Sequence, residues 1–281
     1  MKQVTFASMA YENKKKQTRR ERFLSEMNKA VPWERLVSRI EPYYPKAGNG
    51  RRPMPLEQML RIYFMQQWYS LSDPGMEEAL YDIESMRRFA DIELREEPIP
   101  DETTILNFRR LLEQHHLTSA LFEEINKLLK KQGLLLKGGS IIDATIVTAS
   151  SSTKNRQKSR DSQMSSTKKG NRWYFGMKLH VGIDAKSGLS HTVKVTTARE
   201  HDVTMLPNLV REDDRAVFGD KGYFSDDRKR EARKAEVYWG ILEKCKRGTT
   251  LSSTQKKRNR KHASIRSKVE HVLSLIHISE P

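Results

Sequence analysis

A chain of 281 residues, 36% of them hydrophobic, is long enough for one large domain or two ordinary ones. Its 52 Lys and Arg against 36 Asp and Glu leave a net charge of +16, which points to a polyanion, most simply nucleic acid, with an anionic membrane surface also compatible. No run of about 18 apolar residues is present to span a membrane, no apolar N-terminal core marks a signal peptide, and a single cysteine, Cys245, excludes an intramolecular disulfide and a Cys-rich zinc site, which suits a reducing cytoplasm.

The first 20 residues are polar and basic (Lys14-Lys15-Lys16, Arg19-Arg20) and read as an arm that stays disordered until it binds. Phe23, Leu24 and Met27 begin a helical stripe that Pro32 interrupts, and Pro42, Pro45 and Gly48-Asn49-Gly50 predict a loop. An amphipathic helix is predicted over 56–69, with Leu56, Met59, Leu60, Tyr63, Phe64 and Gln67 on one face. Ser72-Asp73-Pro74 stops it and caps a second helix through Phe89, and Asp101 caps a third through Leu112 with Thr103, Thr104, Asn107, Arg109 and Arg110 on its polar side. A further helix is expected over 117–129. Such a series could be a packing scaffold, a dimerisation unit or a helix-turn-helix-like DNA reader; Trp68, Tyr69 and Tyr81 are expected in its core.

The second half opens on G-S-I-I-D-A-T-I-V-T, Gly139 to Thr148, a crowd of β-branched residues that predicts a strand buried on both faces. Asp143 stands in its middle, where an unpaired anion costs several kcal/mol. It either ends the strand as a turn residue or shares a metal ion with other carboxylates. Ser150 to Gly170 loses apolar periodicity and reads as a flexible basic insert, a linker or a loop that orders on DNA. Strands at 173–184 and 191–198 make a hairpin about the turn 184–188, and a helix after Asp202 carries Val203, Leu206 and Leu209. The short strand 216–219 ends in Asp220, where open α/β sheets place their ligands. A charged helix follows over 225–235, then an apolar piece over 237–242, then a basic segment leading to Glu270. Ile265, Val269 and Val272 mark a helical stripe there, with Arg266 one turn before Glu270.

The predicted fold class is therefore α/β, a mixed sheet with helices around it, preceded by a helical domain. Asp143, Asp220 and Glu270 could hold two divalent cations about 3.5–4 Å apart, the arrangement that drives phosphodiester chemistry. His180, His191 and His201 lack partners at ligand spacing and read as core or surface residues. Asp184 is better placed as a turn residue and Asp202 as a helix cap. Lys178, Lys221 and Arg266 are expected phosphate contacts beside the trio.

Six segments, P-D-E-T-T-I-L-N-F-R (100–109), I-I-D-A-T-I-V (141–147), F-G-M-K-L-H (175–180), H-D-V-T (201–204), G-D-K-G-Y (219–223) and R-S-K-V-E-H (266–271), resemble in that order the bacterial DDE transposases of the insertion sequence 5 group. The resemblance implies a ribonuclease H-like catalytic domain and a DDE triad of Asp143, Asp220 and Glu270 binding two Mg²⁺, or Mn²⁺. It also implies an N-terminal domain that recognises transposon ends. The expected products are cleavage at terminal inverted repeats and transfer of the 3′-OH into target DNA by a dimer or larger assembly, in the bacterial cytoplasm at the nucleoid. A metal-dependent nuclease of the same fold and a DNA-binding protein without turnover are the alternatives. The predicted organisation is a basic arm (1–20), a helical DNA-binding domain that includes Arg109 and Arg110 (21–136), a catalytic domain (137–272) and a tail (273–281). In the family's last motif Ala263 stands at the Tyr position and His277 at the Lys position. From Leu273 the text is similar to a translated sequencing adapter, which predicts a reading frame cut short after Glu270.

Overall fold

The computed structural model describes residues 15–48, 52–93, 98–136, 138–153, 159–245 and 248–278, with the backbone alone over 275–278. The first part of the expected arm, Asn49-Gly50-Arg51, residues 154–158 of the insert, the His277 side chain and the end of the expected tail lie outside them. The chain divides into two compact units, 1–128 and 129–281.

The first unit is helical: α1 (Arg19–Ala30), α2 (Trp33–Ile40), α3 (Leu56–Tyr69), α4 (Asp73–Asp82), α5 (Glu84–Phe89), α6 (Glu102–Gln114) and α7 (Leu117–Lys131). Caps start these helices where the sequence supplies them. Thr18 and Glu21 form a capping box on α1, the Gly75 N–H donates to Ser72 Oγ at 3.2 Å, and the Thr104 N–H donates to Asp101 Oδ1 at 2.7 Å. Helix α3 is buried nearly all round, so its expected one-sided face is corrected. Met59, Leu60, Ile62 and Met65 are all fully enclosed, Gln66 is buried with its amide donating to Asp73 Oδ1 at 2.9 Å, and Gln67 is exposed. The single helix expected up to Phe89 is broken at Ile83, whose extended backbone separates α4 from α5. Arg87 caps the break by donating to the carbonyls of Leu80, at 2.9 Å, and Tyr81. Trp68 and Tyr69 pack on the core as expected, whereas Tyr81 is 56% exposed.

The second unit is built on a mixed sheet: β1 (Ser140–Thr148), β2 (Ser165–Lys169), β3 (Arg172–Asp184), β4 (Ser190–Thr197), β5 (Ala216–Gly219) and β6 (Tyr238–Ile241). Its order is β2-β3-β1-β5-β6, with β4 also paired to β3. β3 runs antiparallel to β1, β2 and β4, while β1, β5 and β6 run parallel. Accompanying it among the described residues are α8 (Asp202–Leu209), α9 (Asp226–Lys234), α10 (Ser253–Arg266) and α11 (Lys268–Ile278). Residues 140–143 are buried without a break because both faces of β1 are covered. Ile141 packs with Val181, Phe218, Val269 and Leu273 on one face, and Ile142 packs with Leu206, Leu209, Val217 and Ile241 on the other.

Two expectations change in this unit. Part of the stretch read as a flexible insert is strand β2, folded onto β3 through a turn at Gly170, whose φ of 62° suits glycine. Most of the basic segment before Glu270 is helix α10, started by a Ser252–Gln255 capping box and docked by buried His262, whose Nε2 lies 2.9 Å from the Tyr238 hydroxyl. Apolar pattern did not signal α10, because its burial rests on a histidine rather than a hydrophobic stripe.

A polar cluster pins the start of β1. The Ser140 hydroxyl donates to Asp214 and lies 2.8 Å from His191 Nε2, while Arg211 spans Asp214 at 2.7 Å and Asp184 at 3.1 Å. Burial, with Arg211 adding to it, pushes His191 down to about 4. The unfolded imidazole titrates near 6.5, so in the window between those values the unfolded chain holds the extra proton. Stability is expected to fall as pH drops from about 6.5 to about 4, by up to about 3 kcal/mol. Urea midpoints of wild type and His191→Asn across that range test this, and parallel curves for the two proteins would refute it.

Candidate active site

Asp143 lies opposite Val181 in the β1–β3 ladder. Strand alternation turns it to the face of Ile141, which Val269 and Leu273 of α11 cover. On the other side of β1, Ile142 pairs with Gly219 of parallel β5. Asp143 and Asp220 therefore each follow a paired position, and parallel strands deliver them to the same end of the sheet. Gly219 permits this approach: a Cβ there would stand 2.9 Å from both Ile142 Cγ1 and Ile241 Cδ1. Gly219→Ala is expected to cost roughly 1–3 kcal/mol of stability, read as a lower denaturant midpoint.

Glu270 arrives from the helical side. α10 ends at Arg266, Ser267 turns the chain, and the Glu270 N–H donates to the Ser267 carbonyl at 3.2 Å. The expected apolar stripe thus crosses a break between two helices, with Val269 buried. One turn earlier, Arg266 donates through Nη1 to Asp143 Oδ2 and through Nη2 to Glu270 Oε1 at 2.7 Å. Residues 123 positions apart in sequence are tied by one guanidinium.

The electrostatics describe the same convergence. Burial raises Asp143 to about 6; Arg266 and the Ala144 N–H, which donates to Oδ1 at 2.9 Å, oppose the rise, and Glu270 and Asp220 add to it. Tyr223, three residues after Asp220, is completely buried, and its hydroxyl has no hydrogen-bond partner among the described residues. Its pKa is raised by burial first and then by Asp202, Asp143 and Asp220. Three carboxylates supply the hard oxygen donors that Mg²⁺ or Mn²⁺ takes, and their mutual repulsion favours a cation among them. The donor set fits such an ion. In this structure the cation joining Asp143 to Glu270 is the Arg266 guanidinium, and among the described residues no three Asp, Glu, His or Cys side chains are gathered closely enough to hold one ion together.

The other sequence candidates are distributed as follows. Lys221 is exposed in the 3-10 turn directly after Asp220. Lys178 pairs with Ile146, so it lies on the opposite sheet face from Asp143, with its ammonium 3.1 Å from Asp202 Oδ1 and donating to the Glu200 carbonyl at 2.6 Å. In the first unit Arg109 is bound to Asp73 at 3.0 Å, while Arg110 is exposed along with Thr103 and Asn107 on α6. Asp184 is the turn residue expected, accepting the N–H groups of Lys186 and Ser187. Asp202 is the first residue of α8 and not its cap, which is His201. His180 is buried against Thr196 at 2.9 Å. Sequence reasoning missed Tyr223 and the double grip of Arg266. The available signals were the aromatic ending of G-D-K-G-Y and the four-residue spacing of Arg266 and Glu270.

Comparison with known families gives two matches. Residues 12–111 match the profile described as a transposase domain (DUF772). Residues 135–278 match that of the transposase DDE domain, which covers more than half of the chain and includes Asp143, Asp220 and Glu270. No solved structure matches the chain.

Proposed function

The chain belongs to the DDE transposases, polynucleotidyl transferases that act on DNA in transposition, and on that premise we propose that Asp143, Asp220 and Glu270 are its catalytic triad and that it is a member of the insertion sequence 5 group. The reaction is cleavage at the terminal inverted repeats to free a 3′-OH, followed by in-line attack of that hydroxyl on target DNA. The Arg266 guanidinium bridging Asp143 and Glu270, with Asp220 following the β5 residue paired beside Asp143's neighbour Ile142, is the observation that carries this reading.

The sheet order supports a ribonuclease H-like catalytic domain: an antiparallel β4-β3-β1 run continues into parallel β5 and β6. Divalent cations at the triad, Mg²⁺ or Mn²⁺, would activate the attacking oxygen and stabilise the leaving one. The chain's own groups do the remaining work. The burial of Asp143 limits solvent at the reacting phosphate, exposed Lys221 attracts the DNA backbone beside Asp220, and Arg266 keeps Asp143 and Glu270 aligned. Thr103, Asn107 and Arg110 on α6 present a polar face suited to reading transposon ends. Joining two ends calls for at least a dimer on DNA, within the cytoplasm where the element resides. No helix among the described residues is long and apolar enough to cross a membrane.

The test is Mg²⁺-dependent processing of a plasmid carrying the DNA that flanks this chain's own gene. Asp220→Ala is expected to reduce cleavage by about 10³-fold or more while wild-type DNA binding persists. Unchanged cleavage would remove the triad assignment. Cleavage without joined products would indicate a nuclease, and binding without turnover a DNA-binding protein.

A further inference from the structure

β1 leaves the sheet at Thr148, opposite Gly176 of β3, and β4 reaches no further than Met177. The Ala149 N–H still donates to the Phe175 carbonyl at 2.8 Å, and residues 172–174 of β3 continue with β2 alone, as a two-stranded ribbon beyond the sheet. At its outer end Lys168 pairs with Trp173 and Lys169 with Arg172 across the Gly170-Asn171 turn, and all four side chains are exposed. Trp173 is 70% exposed, the largest exposure among the large hydrophobic side chains of the described residues. The base of the ribbon adds Arg160, whose guanidinium lies 5.4 Å from the centre of the Phe175 ring, and Arg199, whose N–H donates to Ser165 Oγ at 2.8 Å.

A lone two-stranded ribbon is marginally stable in water, and an exposed indole at its tip adds no core contact. This composition serves a partner better than it serves the fold. Lys168 paired with the indole, Lys169 and Arg172 on the other face of the tip, and two arginines at the base match a polyanion that also offers apolar surface, which describes the sugar-phosphate face of DNA. Placement strengthens the match. Alternation along β3 puts Trp173 on the same sheet face as Val181, and Val181 pairs with Asp143. Eight residues of strand separate them, about 26 Å at a rise of about 3.3 Å per residue.

We propose that the β2–β3 ribbon is a DNA-binding arm of the catalytic unit, which grips duplex some seven base pairs (about 25 Å) from the reacting phosphate through Lys168, Lys169, Arg172 and Trp173. This rests on the transposase reading and assigns a substrate contact to a segment outside the triad. The cations hold phosphates, and the indole packs against deoxyribose and base edge.

The experiment uses the full chain and a 40-base-pair duplex of mixed sequence. Affinity is measured by fluorescence anisotropy across a salt series, with acrylamide quenching of tryptophan in the free and saturated protein. A Lys168→Gln/Lys169→Gln/Arg172→Gln variant is expected to lower the slope of log K against log salt by about 2–3, near 0.9 per lost phosphate contact. Trp173→Ala is expected to weaken binding at least about fivefold, with Trp173→Phe recovering part of it. Duplex is expected to shield a quencher-accessible tryptophan in wild type that is missing from Trp173→Phe. Melting temperatures equal to wild type show that the variants fold, as expected for exposed positions. If wild type binds duplex but the triple variant keeps its salt slope and Trp173 stays equally quenched, the arm is overturned and the transposase reading stands. A loss confined to single-stranded oligonucleotide overturns the duplex assignment. Failure of wild type to bind duplex at all removes the functional reading and the arm with it.

Discussion

Asp143→Asn is expected to abolish strand cleavage and at the same time to make the protein more stable. The folded carboxyl titrates at about 6 against an ordinary 3.8, chiefly through burial. Between those values the native state holds the proton that the unfolded chain has lost, so wild-type stability falls as pH rises from about 4 to about 6 and stays reduced above that. The penalty is up to about 3 kcal/mol, and a neutral Asn avoids it. Activity should drop by about 10³-fold or more, because Asn cannot supply the charge on which phosphoryl transfer at this site depends. Urea midpoints of both proteins at pH 4 and pH 7, without divalent ions, separate the two effects. Equal differences between the proteins at the two pH values would show that burial does not penalise the Asp143 anion. His191 acts in the opposite direction over an overlapping range, but it is common to both proteins and cancels in the comparison.

Arg266→Ala is expected to give the second largest effect, through the same cluster. Removing the guanidinium leaves Asp143 and Glu270 facing each other, one buried and one 55% exposed. Breaking a fully buried pair costs several kcal/mol; the exposure of Glu270 reduces the expected loss to about 2 kcal/mol without divalent ions. Mg²⁺ should then raise the melting temperature of the variant more than that of wild type, because the variant's carboxylates have lost their resident cation. Arg266→Lys is expected to recover only part of the stability, since a single ammonium cannot span both carboxylates as the two arms of a guanidinium do. Melting curves with and without Mg²⁺ check this. An identical Mg²⁺ gain in wild type and Arg266→Ala would mean that the guanidinium and a divalent ion do not compete for the same anions.

That Asp143 sits in a buried strand was legible in the sequence, because Ile141, Ile142, Ile146 and Val147 crowd around it and a carboxylate is anomalous there. That Asp220 ends a strand was legible for the same reason, from A-V-F-G before it. Helix starts with a polar cap were legible too: Ser72 and Asp101 each accept the N–H three residues on. Where periodicity was weak the reading failed. β2 is Ser-, Thr- and Lys-rich, and it is a strand because β3 extends past the sheet and offers an unpaired edge. α10 is basic along its length and is held by His262 rather than by a hydrophobic stripe.

The amino-acid sequence by itself determined the chemical character of this protein: an excess of cations suited to a polyanionic partner, and carboxylates set in or directly after apolar strands and on a helix. Those properties are local, set by side-chain charge and by the two- and 3.6-residue periods of the backbone. Tertiary structure alone decided that β1 and β5 pair in parallel so that Asp143 and Asp220 each follow a paired position, and that Arg266 rather than solvent answers Asp143. It also decided that Lys178 serves the opposite face of the sheet and that Trp173 remains outside the core. Register and facing depend on which distant segment covers which surface, and a single sequence read residue by residue does not carry that information.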